Sequence, residues 1–208
     1  MPLNKRLKRN NFYPTFKNVK NGNRLFQEKG IIMDKILVLD TETTGLDDNA
    51  EILQISAMWG DEVEAINQYV RPVHTVSWPG AERVNHISPE MVANKPTMFE
   101  LKTKIEKLLN ETDIVVGYNL RFDLRMLELN GVKLPFDKTR YVDIMVPFAI
   151  VFGEWSDYFQ DYKWQKLITC AHYYGYKGDG WHDSMADVRA ALYCYKAMLL
   201  RGDIKLPE

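Results

Sequence analysis

Asp40 and Glu42 stand two places apart at the end of the apolar run Ile36–Leu39, in the stretch ILVLDTETTGL. Four apolar residues in succession fit a fully buried strand, and residues two apart on a strand face the same way. Both carboxylates would then aim at one spot with Thr41 turned aside, and two anions that close repel unless a cation lies between them. Hard oxygen donors, with no matching Cys and His cluster in the chain, suit Mg²⁺ or Mn²⁺ rather than zinc. Thr43, Thr44 and Gly45 turn the chain away with small residues whose backbone N–H groups could meet a substrate phosphate.

Phosphodiester cleavage between two metal ions needs about four carboxylates around ions roughly 4 Å apart, and a base for the attacking water. Asp123, inside the apolar stretch that follows Leu120, and Asp187, in the first turn of the last helix, are the candidates to complete the set. His182 stands five residues before Asp187, after the loop Gly178-Asp179-Gly180-Trp181, and is the candidate base. The ordinary imidazole pKa of about 6.5 suits that task at neutral pH. Blander roles stay open for each: Ser184-x-x-Asp187 matches a helix capping box, Asp123 could occupy an exposed face, and His182 could be a loop histidine. His74, His86 and His172 have no partner pattern and read as structural.

The elements that must position these groups follow from periodicity. Ile52–Trp59 and Ala65–Val70 alternate as two further strands around the turn Gly60-Asp61-Glu62, and short connections make the first three strands antiparallel neighbours. Arg71-Pro72 breaks the sheet, a loop holds His74, Trp78 and Pro79, and Ser88-Pro89-Glu90 opens a short helix. Met98, Leu101, Ile105 and Leu108 recur at helical spacing. Ile114–Gly117 is a short buried strand, a helix runs from about Leu120 to a stop at Gly131, and Thr139–Val142 is a fifth strand. Asp143 caps a helix through Phe152, and helices follow over Trp164–Tyr174 and from Ser184 to about Leu200. Strands first, then strands alternating with helices, imply a mixed sheet flanked by helices.

With 208 residues, 46% hydrophobic and 26% charged, the chain suits one soluble α/β domain with an appendage, and no apolar run is long enough to span a membrane. No signal peptide is expected, and Cys170 and Cys194 read as buried free thiols of a reducing, cytoplasmic setting. Net charge is −1 overall, yet residues 1–30 hold eight basic side chains against Glu28 alone. A basic N-terminal arm on an acidic body fits a protein that handles a polyanion, although a solvated tail would show the same charges. Trp155, Tyr158, Phe159, Tyr162 and Trp164 crowd one stretch; packing into a core or lid is the preferred reading, stacking on single-stranded bases the other.

The segments VLDTETTGL, GYNLRFD (Gly117–Asp123) and WHDSMADV (Trp181–Val188) resemble, in order and spacing, the three motifs of the DnaQ-like DEDDh 3′-to-5′ exonucleases. The resemblance covers about Met33 to Arg201 and implies an exonuclease domain over 33–205 on a ribonuclease H-like fold, an α/β architecture with a five-stranded mixed sheet and helices on both faces. It implies ligands for two Mg²⁺ or Mn²⁺ ions at Asp40, Glu42, Asp123 and Asp187, and a general base at His182. Thr43, Gly45, Leu46 and Asn119 would hold the terminal nucleotide, with Leu46 wedged against its base. The tyrosine branch of the family is excluded because position 183 is Asp183. Where relatives read His-Gly-Ile-Thr this chain has Asn85-His86-Ile87-Ser88, and Tyr118 stands where a His is usual.

The expected activity is hydrolysis of nucleic acid from a free 3′ end, single-stranded DNA first, giving nucleoside 5′-monophosphates. A DNA polymerase or repair complex is a candidate partner. An exoribonuclease trimming RNA is the alternative enzyme, and a binding module of the same fold with weak turnover is the alternative class.

Overall fold

A computed structural model describes residues 35–206; the expected basic arm over 1–30 and the first two residues of the expected domain lie outside the described residues. The elements run β1 (Ile36–Thr43), β2 (Ile52–Trp59), β3 (Glu64–Tyr69), α1 (Pro79–Asn85), α2 (Pro89–Val92), α3 (Met98–Asn110) and β4 (Ile114–Gly117). They continue with α4 (Leu120–Leu129), β5 (Arg140–Asp143), α5 (Met145–Phe152), β6 (Trp155–Ser156), β7 (Asp161–Tyr162), α6 (Leu167–Tyr174) and α7 (Ser184–Arg201). β1 to β5 form one sheet in the order β3-β2-β1-β4-β5. β2 is antiparallel to both β1 and β3, whereas β4 runs parallel to β1 and to β5. This is the five-stranded mixed sheet expected, with β1 at its centre.

Alternation along β1 sorts the helices onto the two faces. Ile36 and Val38 pack with Phe148 of α5, Cys170 of α6 and Val188 and Leu192 of α7. Leu37 and Leu39 pack with Leu101 and Ile105 of α3 and with Leu120, Met126 and Leu127 of α4. A third, smaller cluster of Leu53, Trp78, Ile87 and Val92 closes the end of β2. Cys170 and Cys194 are both free and buried, as expected. No helix of the described residues is long and apolar enough to cross a membrane.

Four expectations need correction. The segment after Arg71-Pro72 is not all loop, since Pro79 starts α1 and Trp78 before it is buried with its indole N–H on the Ile87 carbonyl. The helix expected from Trp164 starts at Leu167, because Asp161–Tyr162 is spent on a small antiparallel hairpin with Trp155–Ser156. The aromatic stretch is not packed into a core or lid: Trp155, Tyr158, Phe159 and Trp164 are all exposed. Asp143 ends β5 and Ile144 holds the cap position of α5, though the Asp143 carboxylate still accepts from the Met145 N–H (3.0 Å).

Candidate active site

The parallel strands β1, β4 and β5 end along one edge of the sheet, which gathers Glu42, Gly117 and Asp143 there. Gly117 is required by the close approach of its neighbours: a Cβ would stand 2.9 Å from Leu120 Cδ1 and 3.2 Å from the Leu39 carbonyl oxygen. With no side chain in the way, the chain turns from β4 into α4 through Asn119, whose φ of 62° is left-handed. Helix α4 then carries Asp123 onto the tip of β1, where its Oδ1 accepts from the Thr41 N–H (3.0 Å) and from Thr41 Oγ1 (2.7 Å). Thr41 is turned aside from Asp40 and Glu42, as expected, but toward the third acid. Asp143 accepts from the Asn119 N–H at 3.0 Å and so joins the start of α4 to that of α5.

The other half of the site hangs on β2. Ser56 lies opposite Asp40 and Gln54 opposite Glu42, so these polar side chains share the face of the two acids. Gln54 donates to Asp183 Oδ2 (3.1 Å), and the Ser56 and Ser184 hydroxyls are 2.6 Å apart. Asp183 is the cap of α7, accepting from the Ala186 N–H (3.1 Å), so the Ser184-x-x-Asp187 capping box does not form. The turn before it puts His182 at φ 69°, a left-handed conformation unusual for a residue with a side chain, and turns its backbone N–H onto Asp187. We expect Gln54→Leu to destabilise the fold by about 1–3 kcal/mol, since it strands the buried Ser184 N–H, which donates to Gln54 Oε1, along with the half-buried Asp183 carboxylate. Denaturant titration would measure that loss, and an unchanged midpoint would show that Gln54 does not hold α7.

Glu42, His182 and Asp187 each present a donor atom within 4.8 Å of the others. Asp187 Oδ1 is buried with no hydrogen-bond partner, whereas Glu42 is held by the Asn85 side chain, which also donates to the Thr43 carbonyl (3.3 Å). Oxygen donors in excess, one of them unpartnered, fit a hard divalent cation. Burial pushes Glu42 up to about 8, with Asp187 the next cause. Burial likewise pushes Asp123 up to about 7 and Asp187 to about 6. Asp40 is raised well above the ordinary carboxylate range by burial and then by Asp123, Glu42 and Asp187. Like charges brought together out of water oppose ionisation unless a cation answers them.

The sign of the resulting pH dependence is fixed. A carboxyl whose native pKa is raised keeps its proton where the unfolded chain has released it, so its contribution to stability is lost as pH rises. The window runs from about 4, the unfolded value, to about 8, where Glu42 ionises. In EDTA the melting midpoint is expected to fall between pH 5 and pH 8, and Mn²⁺ to raise it more at pH 8 than at pH 5. A domain of this size moves about 2–4 °C per kcal/mol, within reach of differential scanning fluorimetry. An equal Mn²⁺ effect at both pH values would break the link between these carboxyls and the cation.

The residues that the resemblance assigns to the terminal nucleotide lie at the ends of β1 and β4. Leu46 is 78% exposed beyond the end of β1, a position open to a wedge, and Asn119, at the start of α4, is exposed as well. Thr43 is buried and its hydroxyl donates to the Gly45 carbonyl (2.6 Å), so its part is to shape the turn. The Thr44 N–H is not free for a phosphate, being bonded to the Glu51 carbonyl at 2.9 Å. Asn85, Gln54, Asp143 and Asp183 were not singled out as site residues by the sequence. Asn85 stood in a segment that departs from the family pattern, and polar Gln54 and Ser56 inside an apolar strand were the other available signal.

An acid-lined edge of a ribonuclease H-like sheet, with a histidine over it, defines a nuclease of the DnaQ-like class. The family model described as Exonuclease matches residues 37–195, and the chain belongs to that family of phosphodiester hydrolases. It is 30% identical over 178 residues to the uncharacterized exonuclease CP81 of Escherichia phage 186, covering 81% of this chain and 90% of that protein. It is also 30% identical over 92 residues to the DNA polymerase III subunit epsilon of Treponema pallidum, 42% of each chain. Among solved structures, E. coli exonuclease I in complex with a dA16 oligonucleotide matches with a TM-score of 0.65 and 20% identity. The match covers 80% of this chain and 41% of that one, so the chain spans less than half the length of exonuclease I.

Proposed function

We propose that this exonuclease is metal-dependent and works in the 3′-to-5′ direction on single-stranded DNA, releasing nucleoside 5′-monophosphates. The observation that carries the reading is the convergence of Glu42, His182 and Asp187 donor atoms within 4.8 Å, at the strand end that also bears Asp40 and receives Asp123. The oligonucleotide complexes of exonuclease I support the choice of DNA, and the epsilon relative supports a polymerase complex as a setting in which the chain could work.

Asp40, Glu42, Asp123 and Asp187 would hold two Mg²⁺ or Mn²⁺ ions, which supply charge neutralisation at the scissile phosphate and at the departing 3′-oxygen. The chain's own residues do the rest. Leu46 stacks against the terminal base, while the turn at Thr43 and Gly45 and the side chain of Asn119 fix the terminal sugar, so that only a free 3′ end fits. An imidazole nitrogen of His182 takes the proton of the attacking water and passes it to solvent when the mononucleotide leaves. The exposed position of His182 allows that exchange.

End-labelled DNA and RNA strands of matched sequence, each incubated with Mn²⁺ or with EDTA, test the reading. The expected result is a mononucleotide ladder from the 3′ end of the DNA, abolished by EDTA. Binding without cleavage would make the chain a tethering module, and faster loss of the RNA would make it an exoribonuclease.

A further inference from the structure

The β6–β7 hairpin has no part in the chemistry above, yet it holds aromatic rings out in the open. Trp155 is 47% exposed, Tyr158 87%, Phe159 75% and Trp164 66%. The hairpin is nevertheless well tied. The Lys163 N–H donates to the Glu154 carbonyl (2.8 Å), its ammonium pairs with the Glu154 carboxylate (2.8 Å), and Gln165 Nε2 donates to the same carboxylate (3.1 Å). At the tip the Phe159 N–H donates to Ser156 Oγ (3.3 Å). The rings meet edge to face, Trp155 on Tyr162 at 5.3 Å and Tyr158 on Phe159 at 4.8 Å. A tied stem that keeps large rings out of the core forgoes burial that the fold would otherwise gain.

The stem is joined to the candidate site. Tyr118 OH donates to the Gln165 carbonyl (2.8 Å), and Tyr118 immediately precedes Asn119, from which α4 departs toward Asp123. Resting on the nuclease reading, we infer that this hairpin is a stacking surface for the single strand that feeds the site, taking bases upstream of the 3′-terminal nucleotide. Every base offers a ring face, so aromatic side chains grip a strand whatever its sequence, as an enzyme that shortens one nucleotide at a time requires. Charge does not carry the contact: Lys163 and Lys166 are offset by Glu154, Asp157 and Asp161 along the same segment. The hairpin's share of affinity is therefore insensitive to salt, unlike phosphate contacts.

The test compares the full chain with the double variant Tyr158→Ala/Phe159→Ala and with Trp164→Ala, all at exposed positions. Two substrates are used with Mn²⁺: a long oligothymidylate and the p-nitrophenyl ester of thymidine 5′-monophosphate, which ends at the active site. The expected result is an oligothymidylate KM raised about tenfold per ring removed, at low and high salt alike, with turnover of the ester unchanged. Equal KM values for the oligothymidylate in all three proteins would overturn the proposal. So would a change from dimer to monomer in sedimentation with KM unaltered, which would make the hairpin a surface for a second copy. If the unaltered chain cleaves neither substrate, the nuclease reading fails, and the hairpin is judged separately by anisotropy of a dye-labelled oligothymidylate, where equal affinities count against it.

Discussion

Asp40→Ala is expected to abolish hydrolysis while leaving the protein folded and, in EDTA, more stable than before. Asp40 is raised by burial and by three neighbouring carboxyls at once, so removing it relieves repulsion at pH values where the others ionise. It is also the acid at the centre of the sheet, on β1 opposite Ser56 of β2 and two residues past the last β4 pair. Metal-ion stabilisation of a transition state is worth several kcal/mol, and every 1.36 kcal/mol is tenfold in rate, which puts the loss at about a thousandfold or more. Quantifying mononucleotide release alongside the melting midpoint, with and without Mn²⁺, checks both halves. Normal cleavage by the variant would remove the metal assignment, and a collapsed midpoint would make Asp40 a structural residue.

The second large effect belongs to His182→Ala. A positioned base contributes typically about 10²–10⁴-fold, and the variant should lose that much with the Mn²⁺-induced rise in melting temperature largely kept. The distinction matters because a His182 nitrogen also lies within 4.8 Å of Glu42 and Asp187 donor atoms and so could ligate. Loss of the Mn²⁺ effect together with activity would make His182 a ligand, and unchanged turnover would remove it from the reaction.

Much of this site could be read from residue types because its chemistry demands them at short spacing. Asp40 and Glu42 share a strand face by period alone, and the β1–β2–β3 meander follows from short turns. The helices α3 and α7 announced themselves by apolar periodicity. What escaped were contacts made across the fold. Nothing local to Gln54 says that it reaches Asp183, 129 positions away, nor that Thr41 meets Asp123, 82 positions on. The hairpin was hidden for the opposite reason: strands of two residues carry too little pattern to be seen, and aromatic density in a sequence normally signals burial. Here the rings point outward.

The pairing of β1 with β2 slips between Glu42 and Thr43, whose partners are Gln54 and Ile52, so Leu53 has no opposite number. Unpaired on the β1 side, although its carbonyl accepts from the Val70 N–H (2.8 Å), Leu53 is fully buried against Trp78, Ile87 and Val92, the same segment that delivers Asn85 to Glu42. One skipped residue thus ties Glu42, a proposed metal ligand, to a peripheral plug of four apolar side chains, far smaller than either main core. Warming or sequence drift that softens the plug is expected to disturb that carboxylate before either main core gives way. The enzyme would fall silent while most of its architecture still stands.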